Sequence, residues 1–165
     1  MSTPALPLTD HHGDALTALQ RTDERDLDLD AEPLCPLALV VLLSPQGTLF
    51  GLNRWRRCWE LPGGMIESGE TAREAAAREL DEETHVAISA DDLAYLGTAT
   101  FELHDPDRRE RAALFGMRTG ELAVAPSHEL IEVGWLRDPS QHPDASPIDA
   151  AIADWVAAEL AGPTT

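Results

Sequence analysis

Apolar and polar positions divide the chain near residue 36. Leu37–Leu43 is an unbroken apolar run rich in Val and Leu, which predicts a strand over Leu37–Ser44 buried on both faces. Pro45-Gln46-Gly47 supplies a turn, and Thr48–Asn53 a second strand, so the pair reads as a hairpin. Cys58–Leu61 predicts a short strand that Pro62-Gly63-Gly64 stops. Thr71–Thr84 lacks Gly and Pro and holds four alanines and four glutamates, a composition that predicts a helix. Leu93–His104 and Ala112–Leu122 read as strands around an Asp105–Arg111 loop, and Leu130–Leu136 as the last strand. The polar stretch Asp138–Ser146 is a loop. Pro147–Leu160 then closes the chain as a helix, with Ser146 as N-cap and Pro147 in the first turn. Strands with a few intervening helices imply an α/β sandwich with a mixed sheet.

The first 35 residues differ from the rest. Up to residue 32 they carry eight acidic residues and two arginines. They predict a short helix around Asp14–Gln20 and either an edge strand or a flexible acidic arm at Asp26–Asp30, where Asp and Leu alternate. The expected organisation is an acidic N-terminal arm over residues 1–35 and a folded domain over 36–162.

At 165 residues the chain suits one hydrophobic core. All twelve basic residues are arginine, set against 30 acidic ones, for a net charge of −18. That balance repels phosphate backbones and anionic bilayers, so nucleic acid and membrane are excluded as non-specific partners. No apolar run approaches the roughly 20 residues of a membrane helix, and no secretory pattern opens the chain. Cys35 and Cys58 lack metal-site spacing, and two free thiols suit a reducing cytoplasm, the expected location.

The chemistry concentrates in the predicted helix and the loop before it. At roughly 100° per residue, Ala72, Ala75, Ala76 and Leu80 form an apolar stripe. Glu79 and Glu83 fall within it, and Glu82 lies at its edge. Carboxylates on a core-facing stripe are costly unless paired or bound to a cation. Three at i, i+3 and i+4 repel one another, and a hard divalent ion such as Mg²⁺ resolves the conflict with oxygen ligands. Gly63, Gly64 and Gly69 in the preceding loop let the backbone approach a ligand or cation closely.

Gly64, five residues, Glu70, seven residues, then Arg78-Glu79-Leu80-Asp81-Glu82-Glu83-Thr84-His85-Val86 resembles the Nudix box of MutT-like hydrolases. The Leu61-Pro62-Gly63-Gly64 lead-in is similar as well. One position departs: His85 stands where the family has glycine, at a helix end where positive φ is often required. The resemblance implies an α/β/α sandwich and a Mg²⁺- or Mn²⁺-dependent pyrophosphohydrolase acting on a nucleoside diphosphate linked to another moiety. Nucleoside triphosphate hydrolysis is the first expectation. Marks of ADP-sugar, dinucleoside polyphosphate and NADH hydrolases are not found in the sequence. The alternative is a non-catalytic Nudix-like module that senses a nucleotide, although such modules tend to lose box carboxylates.

Carried onto this chain, the resemblance makes Glu79, Glu82 and Glu83, with the Gly63 carbonyl, the metal ligands. Glu70 and Arg78 become a structural brace. The base that activates water is left open among Glu79, Glu82, Glu83 and Glu129, with Glu132 a neighbouring candidate. Arg56, Arg57 and Arg109 are expected to contact substrate phosphates, while Arg54, Arg108 and Arg111 add to the same local patches. Trp55, Trp59 and Phe101 could stack on a base, though tryptophans are more often core. The partner is a small nucleotide, and a homodimer is allowed.

Overall fold

The computed structural model describes residues 3–163. Along the chain run β1 (Leu8–Thr9), β2 (Ala15–Gln20), β3 (Leu37–Ser44), β4 (Gly47–Asn53), β5 (Trp59–Glu60), β6 (Gly63–Met65), α1 (Ala72–Thr84), β7 (Ala94–His104), β8 (Asp107–Arg118), β9 (Leu130–Leu136) and α2 (Pro147–Ala161). The nine strands form one mixed sheet, in the order β1-β2-β7-β8-β3-β4-β5, with β6 added to β3 and β9 to β4.

The apolar run at β3 is the pivot. One edge pairs in parallel with β8, from Leu37↔Ala112 to Leu43↔Arg118. Its other edge is shared: β6 covers Leu37–Leu39, while β4 meets it only at Leu43 and Ser44. The predicted hairpin is therefore real only at its tip. Beyond the turn β4 pairs with β9 from Thr48 to Asn53, which leaves room for β6 beside β3.

Strand periodicity sends alternate β3 side chains to opposite layers. Ala38, Val40 and Leu42 join Ala72, Ala75, Ala76 and Leu80 of α1 in one core. Val41, with Leu37, Leu39 and Leu43 packed around it, joins Ile148, Ile152 and Val156 of α2 in the other. Burial on both faces is the reason the run carries no polar residue, and the result is the expected α/β/α sandwich. Among the described residues, no helix is long and apolar enough to cross a membrane.

The N-terminal segment departs from its expectation. Asp14–Gln20, read above as a short helix, is instead the strand Ala15–Gln20, which extends the sheet by pairing with β7 at Phe101, Thr100 and Ala99. Leu16 is fully buried in the α2-side core. The segment that follows is clamped rather than free. Arg73 holds Glu24 with two hydrogen bonds of 2.9 and 2.7 Å. Arg111 donates to the carbonyls of Asp28, Ala31 and Pro33. Leu27 and Leu29 pack on the α1-side core, so the Asp/Leu alternation serves burial without forming a strand.

Helix α1 starts with a reciprocal cap, Thr71 accepting from the Glu74 N–H while Glu74 accepts from the Thr71 N–H. It ends at His85 in the left-handed region, φ 58° and ψ 27°, with its N–H donated to Asp81. This is the conformation that favours glycine at that position.

Two outcomes are expected. Leu16→Ala should cost about 2–5 kcal/mol in urea unfolding; a loss under 0.5 kcal/mol would mean that β2 is not part of the cooperative core. His85→Gly should relieve left-handed strain and raise the melting temperature by roughly 2–4 °C, whereas a fall would show that the imidazole makes a stabilising contact.

Candidate active site

Small residues place the acidic groups. Four alanines let α1 lie close to the sheet, and β6 contributes two glycines at the contact. A Cβ on Gly64 would sit 2.6 Å from the Glu79 carboxylate. One on Gly63 would collide with the Ala38 carbonyl, and its φ of 152° is a further barrier to a side chain. Glycine at both positions is thus required by the approach of α1 to β6 and of β6 to β3.

Glu83 is buried and accepts the Gly63 N–H at 3.1 Å. Its carboxyl is pushed up to about 8, chiefly by burial; the Gly63 hydrogen bond opposes this, and Glu79, Glu129 and Glu60 add to it. Burial also raises Glu79, against the pull of Arg78, with the charges of Glu82 and Glu129 contributing. Both carboxyls therefore lie where a cation would be favoured.

Arg78 is the organising cation. It holds Glu70 through a two-pronged contact of 2.7 and 2.9 Å and donates to the Met65 carbonyl at 3.0 Å. Its Nη1 also reaches Glu79 at 2.9 Å and Glu82 at 3.1 Å. The guanidinium ties the loop before α1 to the helix and lies among the candidate ligands. Among the described residues, no three His, Cys, Asp or Glu side chains converge as a metal cluster. Glu82 is well exposed, at 61% of its side chain. Glu79, Glu82 and Glu83 nevertheless form an all-oxygen donor set of the kind Mg²⁺ takes, and to act together Glu79 and Glu82 must turn part of their bonding from Arg78 to the ion.

Glu129 and Glu132 separate clearly. Glu129 precedes β9, and its charge reaches both Glu79 and Glu83. Glu132 pairs with Leu52 in the sheet and is exposed.

A cavity of about 720 Å³ opens beside the carboxylates, with Gly63 and Gly64 in its lining. Leu37, Leu39, Phe101 and Ile148 give it apolar surface, and Arg56 and Arg57 also line it. Arg56 is bound to Glu60 through both prongs. Arg109 is not in this lining: it sits exposed on the β7–β8 hairpin across from Glu102, with 3.9 Å between Nε and the carboxylate. Of the other arginines, Arg54 donates to the His128 carbonyl, Arg108 to Glu110, and Arg111 tethers residues 28–33. Trp59 packs on the α2-side core and Phe101 is buried in it, whereas Trp55 is 62% exposed and edge-on to His128.

Sequence reasoning missed Asp149, which accepts the Leu61 N–H at 2.7 Å while its own N–H caps on Ser146. Its carboxyl is raised to about 7, mainly by burial and then by the charge of Glu60. The Ser146 N-cap placed Asp149 in the first helical turn; its reach across to β5 had no local signal. The contribution of Asp10, His11, His12 and Asp14 to the cavity was equally invisible, because it depends on β2 joining a distant strand, at Phe101, Thr100 and Ala99.

Known proteins resemble this chain in sequence and in fold. A protein of Mycobacterium tuberculosis named "Putative 8-oxo-dGTP diphosphatase 2" is 35% identical over 99 residues, which is 48% of this chain and 67% of that one. An RNA pyrophosphohydrolase of Cereibacter sphaeroides is 39% identical over 66 residues, covering 38% of this chain and 41% of that relative. Among solved structures, the NUDIX domain of Shewanella oneidensis NrtR complexed with ADP ribose superposes with a TM-score of 0.65. It covers 82% of this chain and 95% of that one at 19% identity, a likeness of fold alone. The NUDIX domain family model matches residues 34–156, and the chain accordingly belongs to the Nudix family of hydrolases, which act on pyrophosphate bonds.

Proposed function

We propose that this chain hydrolyses a nucleoside diphosphate linked to another moiety, with a nucleoside triphosphate as the first substrate to test. The observation that carries the reading is the buried carboxyl of Glu83 beside the largely buried one of Glu79, facing a glycine strand that also lines a cavity large enough for a nucleoside. Mg²⁺ or Mn²⁺, held by Glu79, Glu82, Glu83 and the Gly63 carbonyl, would supply charge neutralisation at the diphosphate and a more acidic bound water.

The chain's own residues do the remaining work. Arg78 keeps Glu70 and the loop in register with α1, so the carboxyls meet the diphosphate from a fixed direction. The glycines of β6 allow the diphosphate to come close to the backbone. Glu129, whose charge reaches Glu79 and Glu83, is the favoured proton acceptor for the attacking water. Arg56 and Arg57 line the cavity where phosphate oxygens or the attached group would enter. Retention of every box carboxylate favours catalysis over nucleotide sensing alone.

The test is a panel of nucleoside triphosphates, ADP-ribose, NADH, dinucleoside polyphosphates and nucleotide sugars with Mg²⁺ or Mn²⁺, run on the wild type and on Glu82→Gln and Glu83→Gln. Each variant loses a ligand charge at nearly constant shape. On the best substrate kcat should fall by roughly two orders of magnitude or more, with the circular dichroism spectrum unchanged. Wild-type rates in both variants would reject the metal assignment.

A further inference from the structure

We propose that the β1–β2 turn, Asp10–Asp14, selects the substrate by stacking the planar heterocycle of the group attached to the diphosphate against its two histidines, with Arg57 as the other flat contact. The inference rests on the reading of the neighbouring carboxylates as a diphosphate-cleaving centre. The turn lies ahead of the residues that the family model matches, yet it lines the same cavity as Gly63 and Gly64.

Asp10 makes the turn rigid. Its Oδ1 accepts the N–H groups of His12 at 2.8 Å and Asp14 at 3.0 Å, and its own N–H donates to the Asp14 carbonyl at 2.9 Å. Gly13, at φ 86°, completes the reversal. Asp14 then accepts the His104 N–H at 3.0 Å, fastening the turn to the end of β7. The rings of His11 and His12 are exposed, and among the described residues neither makes a hydrogen bond or an aromatic contact.

Arg57 is presented with equal care. It is one of two non-glycine residues at positive φ, 55°, among the described residues. Asn53 holds it there, taking the Trp55 and Arg56 N–H groups on its side chain and the Arg57 N–H on its carbonyl. In a chain with 30 acidic residues, the Arg57 guanidinium makes no ion pair among the described residues. Strain kept at an unpaired cation points to a ligand. The two walls line one cavity.

The lining decides what kind of group fits. Its carboxylates outnumber its two arginines, which disfavours a second anionic group. Most are already engaged, Glu60 by Arg56 and Asp149 by the Leu61 N–H. What stays free is two imidazole faces, one guanidinium plane, an apolar floor and the Asp144 carboxylate, to which no donor is directed among the described residues. Imidazole and guanidinium planes stack on nucleobases, and a free carboxylate accepts ring or amino N–H groups. A purine that carries N–H donors, of the guanine type, meets all of these.

Steady-state kinetics with Mg²⁺ on GTP and on ribose 5-triphosphate, which lacks only the base, tests the proposal. His11→Ala/His12→Ala should raise KM for GTP about tenfold, the scale of one lost stacking contact, with kcat little changed and both constants for ribose 5-triphosphate unaltered. His11→Phe/His12→Phe, which keeps ring faces without N–H groups, should restore KM. Equal changes for the two substrates, no change for either, or failure of the Phe variant would overturn it. Calorimetry with a non-hydrolysable GTP analogue separates this inference from the catalytic one. A tenfold loss of affinity in the double Ala variant supports the turn's role even without turnover, and unchanged affinity or no binding to the wild type overturns it.

Discussion

Two carboxyls pressed between a helix and a sheet are the constraint around which this structure is arranged. Glu83 is buried and Glu79 nearly so, and burying such groups is unfavourable unless positive charge meets them. Alanines on α1 and glycines on β6 bring the helix close enough to enforce that burial. Arg78 relieves Glu79 but not Glu83, whose one hydrogen bond among the described residues is from the Gly63 backbone. Further positive charge would relieve that burial, and divalent ions are the cations that accompany a phosphoanhydride.

The sandwich divides the tasks of the site. The α1 layer carries acids, and the α2 layer carries the cavity. β6 touches both, since Gly64 abuts Glu79 and the same two glycines line the cavity. The start of α2 is fixed to the neighbouring β5 by the Trp59 and Asp144 backbones and by Asp149 on Leu61. The carboxylates and the cavity are thereby held at a constant separation by the sheet and its helices, which favours precise placement.

Much of this was legible in sequence because it is local. Leu130–Leu136 matches the observed strand, and Ser146 caps α2 as expected. The helical wheel separated buried Glu83 from exposed Glu82, and His85 takes the left-handed conformation that its place after the helix suggested. The failures share a cause: their signals are non-local. Gly63–Met65 read as a loop because glycines carry no side-chain pattern, and only β3 makes them a strand. Ala15–Gln20 is too short for periodicity to distinguish helix from strand, so its state is set by β7. Arg111 looked like one member of a basic loop, but it binds three carbonyls of the N-terminal segment.

In the proposed site Glu79 and Glu83 gather a divalent ion against β6. Anomalous diffraction from crystals soaked in Mn²⁺ tests it most directly. A peak is expected within about 2–2.5 Å of carboxylate oxygens from this group, with Arg78 turned partly away from Glu79. A pocket without manganese, its carboxylates still bound to Arg78 and the Gly63 N–H at high metal concentration, would contradict it.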